Sequence, residues 1–445
     1  MAANVSSQTG RSRSLSLLKR GQWTVTLLLL LIGTIDYMDR STLSIGNPLI
    51  RSSLHLSVAQ MGVLLSAFSW SYALAQLPAG GFVDRVGPRR LIAVGMTIWS
   101  LAQAASGFVV GLGQFIFARI FLGIGEAPVW PGGARSVNSW HKVRERGRPI
   151  GIFNSASTLG PAIASPILTA IMLGIGWRGM FIVMAVLGFI VAAIWYFVYR
   201  NPQETQIDTV DQIELRKGDT QETSQVRFIQ WLRMFRYKET WGMIFGFFGT
   251  VYLLWLYITW LPGYLELARH ESIAATGLLS SIPFALGFVG SIVGGLVSDW
   301  FAKRGVSPIA SRKYPLVAGL FGMAVFTVPA ALVHSAVWAV VFISLAEFFG
   351  NISSATAWAL PTAVAPPNYV ASLGGMQNFG GYFGASLAPV VTGLLVAASG
   401  GSFVSALIVG ALVAVASALV YAILVRKPIS GEGLEVPLTR AANHI

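Results

Sequence analysis

Long apolar runs, broken by short polar stretches, repeat along the whole chain. They cover residues 22–45, 58–79, 91–110, 113–134, 149–173, 177–199, 239–263, 273–299, 314–333, 336–360, 370–395 and 401–424. Each is close to the ~20 apolar residues that carry an α-helix across a bilayer. The pattern predicts an all-α polytopic membrane protein with twelve transmembrane helices. Connections are short except at residues 200–238, where Gln203, Glu204, Asp208 and Asp211 precede Arg233, Arg236 and Lys238. That stretch reads as a cytoplasmic linker between two six-helix halves, with an amphipathic helix around Phe228–Phe235. The expected layout is a cytoplasmic tail (1–21), a first six-helix bundle (22–199), the linker (200–238), a second six-helix bundle (239–425) and a second cytoplasmic tail (426–445).

Composition sharpens this picture. The chain is 54% hydrophobic and only 11% charged, whereas soluble domains carry roughly 25% charged residues. A net charge of +13 raises the question of nucleic acid, but its distribution answers it. All of the Lys and Arg fall in the tails and even-numbered loops, except Arg51, Arg178 and Arg269 in odd-numbered loops and Arg40 and Arg119 inside spans. This is the positive-inside bias, which puts both termini in the cytoplasm and argues against a nucleic-acid partner. The basic loop from His141 to Arg148 fits the same topology, in contact with lipid headgroups. The chain has no cysteine, and its five histidines are scattered without a His-x-x-x-His pair, so no metal or cofactor is expected. The first run follows Lys19 and Arg20 and continues into Asp36 and Arg40 without a small-residue cleavage site. It reads as a retained span and not as a cleaved leader.

A few ionisable residues interrupt the apolar runs. Such groups are costly at membrane depth, so they face an interior cavity and pair with one another. In span 1, Asp36 and Arg40 are spaced i,i+4 and can pair on one helix face. Asp39 lies about 100° from Arg40 around the helix and can meet a different neighbour. In span 4, Arg119 and Glu126 are seven residues apart, hence on one stripe about 10 Å long. Gly123 and Gly125 thin that helix so that a partner can approach. Glu347 in span 10 is a further buried acid, with helix pairing and a site role both open.

The halves echo each other. Gly80-Gly-Phe-Val-Asp84-Arg85-Val-Gly87-Pro-Arg89-Arg90 follows span 2, and Gly295-Leu-Val-Ser-Asp299 with Lys303 and Arg304 follows span 8. A weak repeat at matching places in two halves is a signature of a duplicated transporter. Gly80 would allow close helix approach. Asp84 would meet a helix N-terminus or an Arg, and Arg85 and Arg89 would face the inner leaflet. With Asp299 they read as a conformational latch.

The string at 80–90 resembles the cytoplasmic loop motif of the major facilitator superfamily. A nearer resemblance is to the anion:cation symporter family, especially bacterial D-galactonate, hexuronate and glucarate transporters. It is carried by Tyr37-Met-Asp39-Arg40, Phe68-Ser-Trp-Ser-Tyr72 with Gln76-Leu-Pro78, and Arg119-Ile-Phe-Leu-Gly-Ile-Gly-Glu126-Ala-Pro. Thr259-Trp-Leu-Pro262-x-Tyr264, Trp358 and Gly374-Gly-Met-Gln-Asn378 extend it into the second half. The resemblance implies the major facilitator fold, two pseudo-symmetric six-helix bundles around a central cavity, with alternating access. It also implies an inner-membrane, monomeric importer of a small organic anion that needs no cofactor and acts as no enzyme.

By the same resemblance, Asp39 and Glu126 are the protonatable carboxylates. Arg40, Arg119, Tyr37, Tyr72, Ser157, Trp358 and Asn378 line the substrate pocket. Galactonate-type relatives tend to carry Gln at the Ser157 position, so the pocket departs from theirs there. The chemistry suits the residue types. Arg grips a carboxylate with a bidentate, permanent charge, and Tyr hydroxyls can bond the hydroxyls of a sugar acid. Proton symport of a sugar acid is therefore the leading expectation. An importer of an aromatic or dicarboxylic acid and a proton-coupled efflux antiporter are the same-fold alternatives. A membrane enzyme lacks any supporting motif, and a nutrient sensor lacks a large cytosolic segment.

Overall fold

The computed structural model describes residues 2–141, 145–202, 228–366, 369–431 and 434, without the side chains of 2–17, 77, 84, 228, 229 and 371. Most of the 200–238 linker lies outside the described residues. The helices of the first half are α1 (Ala2–Leu54), α2 (Val58–Val86), α3 (Pro88–Ser106), α4 (Leu112–Glu126), α5 (Val129–Trp140), α6 (Gly147–Asn154) and α7 (Ala156–Val198). After the short α8 (Phe228–Arg233) come α9 (Lys238–Arg269), α10 (Ile273–Lys303), α11 (Pro308–Leu332), α12 (Ala336–Ala359), α13 (Pro361–Val364), α14 (Val370–Ala398) and α15 (Val404–Leu424). No strand occurs among the described residues.

Local chemistry sets the boundaries. Ser57 caps α2 in a capping box with Gln60, which satisfies two backbone donors that the first turn leaves open. Gly87, at φ 84°, turns the chain out of α2, and Pro88 then starts α3 at a position where a missing N–H costs nothing. Gly176, at φ 78° and ψ 166°, breaks α7 into two helices. Run 113–134 is a single apolar stretch in the sequence, yet it divides into α4 and α5 at Ala127 and Pro128. Pro128 has no N–H to donate back into α4.

Among the described residues, ten helical stretches are long and apolar enough to cross a membrane, one of them the 52-residue Gly147–Val198. The break at Gly176 makes two crossings of that stretch. The 19-residue α3 provides the last of the twelve expected from the sequence; it packs against α4 and α7. The chain is a multi-pass helical membrane protein.

The helices form two compact units. One comprises Met1–Glu222 with Ile258–Ser281, the other Thr223–Tyr257 with Ile282–Ile445. The division differs from the chain-order boundaries at the linker, because the segment from Ile258 packs with the first unit. Ser44 donates to the Thr259 carbonyl at 2.9 Å, and Thr169 lies against Gly277. In the first unit α1 packs on α7, α2 on α4, and α3 on both α4 and α7. In the second, α11 packs on α12 and α15.

Candidate functional site

The ionisable residues of α1 and α4 meet inside the first unit. Asp36, Asp39, Arg40, Arg119 and Glu126 are all buried. The i,i+4 spacing works as expected: Arg40 Nη2 lies 2.7 Å from Asp36 Oδ2. Its Nε donates to Glu126 Oε2 at 2.8 Å. One guanidinium thus bridges two carboxylates from two helices. Its flat faces are used as well. The Arg40 guanidinium carbon lies 4.5 Å from the Tyr37 ring centre and 4.9 Å from those of Phe68 and Tyr72. Such cation–π contacts strengthen when water is excluded.

Glycines let α4 come this close. A Cβ on Gly123 would strike Ser71 Oγ and lie 2.7 Å from the Phe68 carbonyl oxygen. One on Gly125 would lie 2.6 Å from Trp99 N and 2.8 Å from the Gly95 carbonyl. On the other side of α1, a Cβ on Gly160 would press on Tyr37. Trp130 meets the Tyr37 ring edge-on at 6.1 Å and stacks on Phe153 at 4.3 Å. Tyr37 is thereby wedged beside the charged cluster.

A second polar group lies next along α1. Asp39 Oδ1 accepts from Gln103 Nε2 at 2.8 Å, and the same nitrogen reaches Thr42 Oγ1 at 3.1 Å. Arg119 Nη2 donates to Thr42 Oγ1 at 3.3 Å. The Arg119 guanidinium carbon sits 5.4 Å from the Phe115 ring centre and 5.2 Å from that of Phe181. Arg119 and Glu126 do share the buried stripe of α4, but they serve different partners: Glu126 takes Arg40, and Arg119 takes Thr42. Asp39 Oδ2, Glu126 Oε1 and Arg119 Nε have no hydrogen-bond partner among the described residues. The cluster keeps donor and acceptor capacity in reserve.

The other residues singled out in the sequence are less concentrated. Tyr72 is fully buried, and its hydroxyl accepts from Gln76 at 3.4 Å. The Ser157 hydroxyl donates to the Asn154 carbonyl at 2.8 Å. Trp358 and Asn378 belong to the second unit. Trp358 is half exposed and meets Phe247 edge-on at 5.6 Å; Asn378 is half-buried.

Of the latch residues, Arg89 donates to the Tyr196 carbonyl at 3.0 Å, and its own carbonyl accepts from Trp195 at 3.1 Å. These bonds tie the start of α3 to the end of α7. Arg85 and Asp299 are exposed, and the Asp84 side chain lies outside the described residues. Among the described residues, a Cβ on Gly80 would meet nothing within 4 Å, so none of them makes the close helix approach expected there. Gly95, Gly123 and Gly125 provide it instead.

Sequence reasoning passed over Gln103, Thr42 and Trp130. Gln103 had a signal: it is an amide inside the apolar run 91–110.

The model of the Major Facilitator Superfamily matches residues 29–389. The chain is 44% identical, over 414 residues, to the probable L-galactonate transporter of Escherichia coli (strain K12), covering 93% of this chain and 91% of that protein. It is 34% identical, over 413 residues, to the hexuronate transporter of Bacillus subtilis (strain 168), covering 92% and 95%. Among solved structures, a bacterial homolog of the human lysosomal transporter Spinster superposes with a TM-score of 0.71 at 20% identity, over 91% of this chain and 95% of that one. At that identity the likeness speaks for the fold alone.

Proposed function

The chain belongs to the major facilitator superfamily, and we propose that it imports a sugar acid together with protons. It is a transporter and not an enzyme. The hexonate and hexuronate class is supported by what its galactonate and hexuronate relatives are named for, and glucarate by the sequence resemblance. The observation that carries the proton-coupled mechanism is the Arg40 guanidinium, shared between Asp36 and Glu126 in a buried site.

Charge counting in that site yields the coupling. Among the described residues, the cations beside Asp36, Asp39 and Glu126 are Arg40 and Arg119. Fully ionised, the group would carry one excess negative charge out of reach of water. Unpaired buried charge is strongly disfavoured. The empty site is therefore neutral with one proton bound. A monoanionic sugar acid brings another negative charge, and a second proton restores neutrality. The site itself thus couples one proton to each monoanion.

The steps follow from the contacts. Protonation of Glu126 loosens its hold on the Arg40 Nε and frees that donor for the substrate carboxylate. Asp39 accepts the other proton, at the oxygen that Gln103 leaves free. Arg119, which donates to Thr42 and lies over the Phe115 and Phe181 rings, offers a second cationic anchor. Tyr37 and Tyr72 present hydroxyls beside Arg40, and Ser157 adds a further hydroxyl in the first unit; Trp358 and Asn378 are proposed as solute contacts from the family resemblance alone. Loss of the Glu126 proton restores the Arg40–Glu126 pair and expels the anion, while Asp39 keeps the resident proton that leaves the empty site neutral. Gly80, Asp84, Arg85, Arg89 and Asp299 act as the latch that holds one state of the cycle. The distribution of Lys and Arg supports an inner-membrane protein with both termini in the cytoplasm. Twelve spans in one chain support a monomer as the working unit.

The test is uptake of radiolabelled galactonate, glucuronate and glucarate into proteoliposomes, with and without an imposed pH gradient. Accumulation should require an acidic exterior, and Glu126→Gln should lower accumulation while labelled counterflow persists. Undiminished gradient-driven accumulation in Glu126→Gln would remove Glu126 from the coupling. Uptake of none of the three acids would overturn the substrate class.

A further inference from the structure

Glu347 is the one acid in the middle of a span of the second unit, among the described residues. It lies at the centre of α12, eleven residues from one end and twelve from the other. At ~1.5 Å per residue that is about 17 Å from either end, the depth of the bilayer midplane. The side chain is buried. Its Oε2 accepts from Asn351 Nδ2 at 2.9 Å, one turn further along the same helix. Oε1 has no hydrogen-bond partner among the described residues.

No cation among the described residues pairs with it. The two ion pairs among the described residues both belong to Arg40. The helices packed around Glu347 are α10 through Gly287 and Gly290, α11 along its length, and α9 through Leu254 near Gly350. Their charged residues lie near the helix ends: Asp299 and Lys303 on α10, Arg312 and Lys313 on α11, and Lys238, Glu239, Glu266 and Arg269 on α9. The pair is nonetheless built in. Ser291 Oγ donates to Asn351 Oδ1 at 3.5 Å, which fixes the amide with its NH2 towards the acid. A Cβ on Gly287 would lie 2.6 Å from Asn351 Nδ2 and 3.3 Å from Glu347 Oε2, so this glycine leaves the room that the pair fills.

We propose that Glu347 is a second proton-binding site, occupied in this conformation and emptied in each transport cycle. A carboxylate at this depth with one neutral amide donor is costly, and a proton taken from water onto Oε1 removes the charge. Oε2 stays the acceptor for Asn351, and Oε1 carries the O–H. When water reaches the acid, the O–H bond breaks and the proton leaves as hydronium. The cycling part of the inference rests on the proton-symport reading above. The first-unit site couples one proton per monoanion, and Glu347 raises this to two.

The experiment is the proton-to-substrate ratio in proteoliposomes, from reversal of substrate flux against imposed pH gradients. The wild type should couple two protons per monoanion, Glu347→Gln one, and Glu347→Asp, which keeps a titratable carboxyl, two again. An equal ratio in the wild type and Glu347→Gln overturns the proposal. An infrared difference spectrum of the purified, substrate-free protein tests occupancy without transport. At neutral pH the wild type should show a protonated-carboxyl band that Glu347→Gln lacks, beside the one from the first-unit site, which both keep; identical spectra overturn it. Wild-type accumulation indifferent to the pH gradient would sink the symport reading, whereas the band still reports on Glu347.

Discussion

Replacing Arg40 should expose how much of the first unit depends on one guanidinium. Arg40 touches Asp36 at 2.7 Å through one nitrogen and Glu126 at 2.8 Å through another. Arg40→Gln leaves both buried acids without their cation, and breaking a buried pair in this way costs about 3–5 kcal/mol. Glu126→Gln alone leaves the Arg40–Asp36 pair intact and removes one charged hydrogen bond, about 1.5–3 kcal/mol. The double variant removes the cation together with one of the acids it was holding. It should therefore be less destabilised than the sum of the singles, by a coupling of about 1–3 kcal/mol. Arg40→Lys supplies a point charge that cannot bridge both carboxylates. It should lose one charged contact, about 1.5–3 kcal/mol. Unfolding in mixed SDS micelles measures the stabilities, and uptake kinetics report Arg40→Lys separately. If the single effects add to within about 0.5 kcal/mol, the bridge is not an energetic unit and the charge-counting argument fails.

Two further outcomes follow from the same contacts. Gln103→Leu removes the donor to Asp39 Oδ1 and Thr42 Oγ1. It should cost about 1–3 kcal/mol, because buried acceptors are left unmet; wild-type stability together with wild-type uptake would show that Gln103 does not hold Asp39. Gly125→Ala places a methyl against two backbone atoms at 2.6 and 2.8 Å, and neither can rotate away. Overpacking of about 1–3 kcal/mol is expected, whereas Gly81→Ala, facing open space, should stay within about 0.5 kcal/mol. Equal thermal stability of the two variants would contradict the close α3–α4 packing.

The fold was legible because each span is specified locally. Twenty apolar residues dictate a crossing whatever their partners are, and the positive charges orient the series. Local specification also explains what was blurred. Pro128 splits run 113–134 without changing its hydropathy, so the α4–α5 break is invisible to a count of apolar residues. Gly80 read as a packing glycine because its motif is familiar. Whether a glycine lies against a neighbour depends on the other helix, and at Gly80 no described residue comes within 4 Å. Packing of Ile258–Ser281 with the first unit is likewise a tertiary fact with no local mark.

The site divides along the same physical line. Asp36 with Arg40 and Glu347 with Asn351 are i,i+4 pairs, so helix geometry alone brings the partners together, and both were within reach of the sequence. Even there, spacing left the role of Asp36 open, because only the approach of Glu126 to the same guanidinium makes it part of a shared bridge. Gln103 is 64 residues from Asp39, and no periodicity links an amide in one helix to a carboxylate in another. Yet a buried amide between apolar turns must find a partner. In a span that carries no charge of its own, that partner is to be sought among the unsatisfied acids of the neighbouring helices. Applied to this chain, the rule pairs Gln103 with Asp39. It is the requirement to satisfy each buried polar atom, more than any motif, that converts a list of costly residues into a site.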